Sequence, residues 1–198
     1  RPAEAMNATP PAPAPKPEIP GLRRWPESTS EARTSYRDLT QYNNFYEFNQ
    51  EDKTAVKNLV GNFVVKPWQF SVDGLVNKPQ TFDLETLLAK MPVEERVYRF
   101  RCVEAWSMTV PWSGFPMSAL IKLVEPKPEA KFMRLVTVNR PDQMPGIKRY
   151  NWYKWPYYEA LRIDEAMNPL AMFVTGAYGK ALPKQNGAAM RAILPWKY

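Results

Sequence analysis

Apolar and polar positions alternate through residues 97–102, with Tyr98, Phe100 and Cys102 on one side and Arg99 and Arg101 on the other. That period of two predicts a strand. A second strand is expected at 68–72, entering an Asp73-Gly74 turn from which Leu75-Val76 returns; Pro67 marks its start or an edge. Asp83 is placed to cap a short helix through Leu84, Leu87 and Leu88 that stops at Met91-Pro92. The period changes after Pro116. Met117, Leu120, Ile121 and Val124 fall at i, i+3, i+4 and i+7, which predicts a helix over 118–124 with one core-facing stripe, ended by Glu125-Pro126. Strands are expected again at 132–138, with Met133, Leu135 and Thr137 sharing a face, and at 171–175.

Two regions carry no clean period. Residues 106–116 combine Trp106, Met108, Pro111, Trp112, Phe115 and Pro116. They read as an aromatic lid over a sheet edge, with the Cys102 thiol held out beneath it. Residues 1–40 read as a tail. The Pro/Ala-rich run Pro10-Pro11-Ala12-Pro13-Ala14-Pro15 favours extended polyproline conformations that cannot pack a core. Arg23-Arg24-Trp25-Pro26 is the one part of that tail with the character of an anchor to the domain. The expected domain is 41–198.

Composition narrows the chemistry. A chain of 198 residues suits one domain plus a tail, and 44 % apolar residues suffice for a core. There is no histidine, which excludes Ser-His-Asp and Cys-His catalysis and His-bearing zinc sites. The single cysteine forms no internal disulfide and leaves the redox compartment open. On residue type alone it is a small buried hydrophobe. A metal bound through sulfur would have one protein thiolate and take its other ligands from elsewhere. The net charge of +7 is a solvated basic surface, an attraction for an anionic cofactor or membrane surface, or a nucleic-acid footprint; no nucleic-acid motif accompanies it. Residues 147–158 interleave Lys148, Arg149, Lys154 with Tyr150, Trp152, Tyr153, Trp155, Tyr157 and Tyr158. They read as a surface loop or the rim of a substrate entrance, and in pattern also suit stacking on single-stranded nucleic acid.

Three long strings stand out: Tyr42-Asn43-Asn44-Phe45-Tyr46-Glu47-Phe48, the run from Arg101-Cys102-Val103-Glu104-Ala105-Trp106 to Gly114-Phe115-Pro116, and the run from Tyr178-Gly179-Lys180 through Gln185-Asn186-Gly187 and Arg191 to Pro195-Trp196-Lys197-Tyr198. Together they resemble the bacterial protein-methionine-sulfoxide reductase catalytic subunits, a molybdopterin oxidoreductase family of the sulfite-oxidase fold. The resemblance covers about residues 41–198. It implies an α+β fold of mixed sheets with short helices, a Mo-molybdopterin cofactor, and Cys102 as the catalytic metal ligand. It implies cofactor contacts from Asn43, Tyr46, Glu47, Cys102, Thr137, Asn186 and Arg191. It further implies oxidised periplasmic proteins as substrates, a haem-bearing membrane subunit as electron donor, and export to the periplasm by the twin-arginine route. The chemistry agrees: amides and a carboxylate pair with the donor-rich edge of a pterin, and a guanidinium forks onto a phosphate. Glu104 is expected to act on protons near the metal or to be structural.

The family continues beyond the point where this sequence stops. The expectation is therefore a truncated chain, with an unfinished sheet, an exposed edge and impaired retention of cofactor. The alternatives are a related molybdoenzyme acting on small S- or N-oxides and a non-catalytic remnant. A nucleic-acid binder would show salt-dependent affinity.

Overall fold

The computed structural model describes residues 19, 21–101 and 105–196. In chain order, β1 (Arg23–Arg24), α1 (Tyr36–Gln41) and α2 (Val56–Leu59) come first. β2 (Gln69–Val72) and β3 (Gln80–Asp83) pair and lead into α3 (Leu84–Leu88). The long hairpin β4 (Glu94–Arg101) and β5 (Ser107–Pro116) runs into α4 (Met117–Val124). β6 (Phe132–Val136), α5 (Pro145–Arg149), β7 (Tyr158–Arg162) and α6 (Ile163–Ala166) follow, then β8 (Met172–Ala177), β9 (Lys180–Ala181), a 3-10 turn at Lys184–Asn186 and β10 (Arg191–Ile193). The main sheet has the order β1-β4-β5-β8-β10, with β9 also on β8. β1 is parallel to β4; the other pairs are antiparallel. The arrangement is α+β, with short helices around mixed sheets.

The expected lid at 106–116 is instead the middle of this sheet. β5 lies between β4 and β8, and its residues from Thr109 to Phe115 are buried. Both faces are covered, so the strand shows no alternation that a sequence pattern would reveal. Its proline is tolerated for a specific reason. Pro111 opposes Val97, whose N–H donates to Ser28 Oγ at 3.1 Å and whose carbonyl accepts from Thr29 N. Val97 therefore turns its backbone groups away from β5 and asks no donor of Pro111. Gly114 sits at a register shift against β8, where a Cβ would lie 2.0 Å from the Phe173 carbonyl oxygen. Only glycine lets the two backbones approach so closely.

Other expectations hold or shift by local causes. α4 buries Met117, Leu120, Ile121 and Val124, the four positions of the expected stripe, and ends at Glu125 with a left-handed φ of 54°. Asp83 caps α3 by accepting from Thr86 N at 2.9 Å. The partner of β2 is β3 and not the expected return at Leu75-Val76; Val76 bridges to Pro126 instead. The tail expectation fails over 21–40. β1 pairs with the edge of β4, and Trp25 packs edge-on against Tyr98 beneath the Arg96 guanidinium. Thr34 exchanges backbone and side-chain hydrogen bonds with Thr109 of β5, and Leu39 of α1 is buried. Apolar residues in this stretch are too sparse for a periodic signal, yet Trp25 and Leu39 both pack on the sheet.

Two cores cover opposite faces of the sheet. Phe115, Phe173 and Leu161 pack with α4 on one. Leu39, Val110, Trp112, Met172, Val174 and Ile193 pack on the other. A smaller cluster of Phe48, Val56, Val60, Phe63 and Met144 supports the loop after α1.

Candidate cofactor site

α1 starts cleanly, with Ser35 Oγ accepting from Asp38 N at 3.0 Å. Its last carbonyls have no partner within the helix and need one. Side-chain amides supply it. Asn43 Nδ2 and Asn186 Nδ2 both donate to the Leu39 carbonyl, at 3.1 and 2.9 Å, and Gln185 Nε2 donates to the Thr40 carbonyl at 3.3 Å. Two asparagines far apart in sequence thus meet on one oxygen. Each is only 5 % exposed. With the amino groups committed, both Oδ1 atoms are buried without a hydrogen-bond partner. Buried acceptors left this way cost stability unless something fills them.

Arg191 completes this half of the site. The 3-10 turn ends at Gly187, whose φ of +95° turns the chain back toward β10. Arg191 Nη1 donates to the Asn186 carbonyl at 3.1 Å, and its guanidinium lies 5.6 Å from the centre of the Trp112 ring. Trp112 Nε1 is itself buried without a partner.

Glu47 and Thr137 form the other half. Asn43 N donates to the Lys53 carbonyl and closes a loop over the Phe48–Phe63 cluster. Gly146 N donates to the Glu47 carbonyl at 2.7 Å, and a Cβ on Gly146 would stand 2.2 Å from the Tyr46 carbonyl oxygen. This glycine lets α5 press the loop into place. The Glu47 side chain is buried, and burial pushes its carboxyl above the ordinary glutamate range, against hydrogen bonds from backbone and from Thr137. Thr137 is held in turn: its N–H donates to the Tyr157 carbonyl at 2.9 Å, and its one hydroxyl proton is shared between that carbonyl, 3.2 Å from Oγ1, and the Glu47 carboxyl. Tyr46 is half-buried, with Lys53 Nζ 4.5 Å from its ring centre.

The structure therefore brings Asn43, Asn186 and Arg191 together, and separately Glu47 and Thr137, with Asn43 and Glu47 on one loop. Tyr46 shares the loop without joining either group. Cys102 and Glu104 lie outside the described residues. The paired register of β4 and β5 extends to Arg101 opposite Ser107, and the Trp106 ring packs on Tyr42 at 4.9 Å. Described residues flanking Cys102 are thus beside the segment that carries Asn43. Sequence reasoning missed Leu39, whose carbonyl organises the amides, and Gln185 and Trp112. Gln185 and Trp112 stand inside the recognised strings; nothing in the sequence marks a leucine carbonyl.

The residues present fit a pterin. Two buried amide oxygens and a carboxylate are acceptors for a donor-rich edge, and a guanidinium suits an anionic group. Among the described residues no group of three or more His, Cys, Asp or Glu is placed to hold a metal ion. Fold and site define an α+β domain whose buried acceptors and guanidinium suit a polar, donor-rich, anionic group.

Residues 57–198 match the oxidoreductase molybdopterin binding domain family, and the chain belongs to it. It is 52 % identical over 165 residues to the protein-methionine-sulfoxide reductase catalytic subunit MsrP of Burkholderia mallei, which is 83 % of this chain and 49 % of that protein. It is 50 % identical over 169 residues to the MsrP of Pseudomonas syringae pv. tomato, 85 % of this chain and 50 % of that protein. The chain spans about half the length of these curated relatives. Among solved structures it is similar to the sulfane dehydrogenase SoxCD of Paracoccus pantotrophus, with a TM-score of 0.58, 16 % identity, and coverage of 98 % of this chain and 51 % of that one. At that identity the likeness concerns the fold alone. The sulfite-oxidase type of α+β architecture expected from the sequence stands.

Proposed function

We propose that this chain is the cofactor-binding part of a molybdenum-dependent reductase that removes oxygen from methionine sulfoxide residues of proteins. The observation that carries this is the pair of buried acceptors on Asn43 and Asn186, fixed by a shared Leu39 carbonyl and left without partners. Those two oxygens and the Glu47 carboxylate would hold the pterin edge; Arg191, with Trp112 behind it, would take the phosphate. Thr137 steadies Glu47. Cys102 would ligate molybdenum as a thiolate, a soft ligand suited to that metal. When bound, the cofactor supplies two-electron oxygen-atom chemistry, which turns methionine sulfoxide back to methionine. Burial raises the Glu47 carboxyl above its ordinary range, so this group would hold or exchange a proton at the bound group. The relatives carry the substrate class in their names. Periplasmic location and a haem-bearing membrane electron donor belong to the same reading. No helix among the described residues is long and apolar enough to cross a membrane.

The test is metal analysis of protein purified from a host that makes the cofactor. We expect about one molybdenum per chain, lost in Cys102→Ser. Folded protein without molybdenum, or with metal unaffected by Cys102→Ser, would overturn the metal centre. Loaded protein that reduces small sulfoxides or N-oxides but no oxidised protein would overturn the substrate.

A further inference from the structure

Three consecutive side chains of the 3-10 turn reach three different carbonyls. Lys184 Nζ donates to the Gly61 carbonyl at 2.7 Å, Gln185 Nε2 to that of Thr40 at 3.3 Å and Asn186 Nδ2 to that of Leu39 at 2.9 Å. Gly61 stands just beyond α2, and Leu39 and Thr40 belong to α1. The turn is thus tied to two helices by side chains. Among the described residues, 184–188 make no backbone–backbone hydrogen bond outside the turn. Asn186 N and Ala188 N donate to the Pro183 carbonyl, and Gly187 N donates to that of Lys184. The fixed points lie on either side: Leu182 N donates to the Thr175 carbonyl, and Arg191 opens β10 in register with Val174.

Packing leaves the turn free on one side. Leu182, Ala188 and Ala189, at its two ends, line a cavity of about 680 Å³ whose walls also include Val65, Trp68 and Leu88. A segment held by so few contacts opens locally at little cost. Yet this turn places two of the groups given to the cofactor. Asn186 holds out a buried Oδ1 without a partner, and Arg191 is set by its bond to the Asn186 carbonyl. Asn186 anchors the turn weakly by itself, because the Leu39 carbonyl it reaches already accepts from Asn43.

We infer that Lys184 and Gln185 are positioning residues for the cofactor site. They form a latch that keeps the turn closed on α1 and the chain after α2, so that Asn186 Oδ1 and Arg191 keep their places. This rests on the cofactor reading above. Each acts through Asn186 and Arg191, since its own donor is committed to a carbonyl. Lys184, the charged donor with the shorter bond, carries more of the latch.

The experiment follows amide exchange of the turn by mass spectrometry, and retention of molybdenum on repeated desalting. Lys184→Met keeps the aliphatic stem and removes the donor. Gln185→Glu keeps the shape and removes the donor, and Lys184→Arg keeps a charged donor. In the cofactor-free chain, the Asn186 and Gly187 amides of Lys184→Met should exchange about tenfold faster than in wild type, the effect of one charge-assisted hydrogen bond. In loaded protein the half-life of molybdenum retention should fall about tenfold in Lys184→Met for the same reason, and less in Gln185→Glu. Lys184→Arg should restore both. Trp25→Ala, a destabilising change in the opposite part of the fold, should move neither. Turn amides that exchange as in wild type would overturn the latch. Faster exchange with unchanged retention, no recovery in Lys184→Arg, or equal losses in Trp25→Ala would overturn the positioning role. The exchange measurement needs no metal, so the two readings separate. Wild-type protein that holds no molybdenum overturns the cofactor reading, while its turn amides still decide the latch.

Discussion

Glu47 is the residue whose environment makes the sharpest demand. Burial raises its carboxyl above the ordinary range, so the fold favours the protonated form. The stability this contributes is complete below the ordinary glutamate value and is lost as pH rises through the raised one. In the cofactor-free chain, Glu47→Gln should therefore be more stable than wild type near pH 7, with the advantage gone at about pH 4; paired urea melts at the two values measure it. The asparagines predict coupling. Asn43→Ala or Asn186→Ala alone should cost about 1 kcal/mol, because one donor to the Leu39 carbonyl remains. The double variant should cost more than the sum, since that carbonyl then lacks both side-chain donors. A double-mutant cycle read from denaturant midpoints decides it, and simple additivity would speak against the shared anchor. At this scale much was legible. Asn43, Asn186 and Arg191 were marked by the strings around them, and the structure gathers them. Their common anchor was invisible, because a backbone carbonyl leaves no trace in residue identity.

Among the elements, α4 was readable and β5 was not, for one reason. α4 meets a core on one side and water on the other, so its apolar residues repeat with the helix. β5 meets a core on both sides and flanking strands on both edges, so burial erases the pattern and its prolines mislead. The register shift at Gly114 is equally silent in sequence, yet it sets how β8 lies on β5. Gly114→Ala should cost about 3 kcal/mol or prevent folding, as its Cβ would strike the Phe173 carbonyl and the Val174 backbone. Solubility on expression and a urea midpoint read the outcome. An alanine variant of unchanged stability would mean that the strands separate there without penalty.

Across the whole molecule, residues 23–34 act as a strap from the outer edge of β4 to the exposed end of β5. Its fastening is Trp25, between Tyr98 and Arg96. Arg96 is almost wholly buried and bonded to Glu94, the Tyr98 hydroxyl and the Pro169 carbonyl. Trp25→Ala should lower stability by about 2 kcal/mol through lost ring contact and a less enclosed guanidinium. A denaturant midpoint within a few tenths of wild type would relegate the strap to surface decoration. Reading the strap as tail was natural, since a clamp made of a few contacts to distant partners has no local periodicity.

The oxygen of Leu39 also sets a clock. Asn43 reaches that oxygen from four residues away, but Asn186 leaves the ribosome far later and only then brings the second acceptor to it. A growing chain that has not yet reached Asn186 has Asn43 but no pocket. Whatever group this protein takes up must therefore be inserted after translation has passed Arg191, as a closing act of maturation.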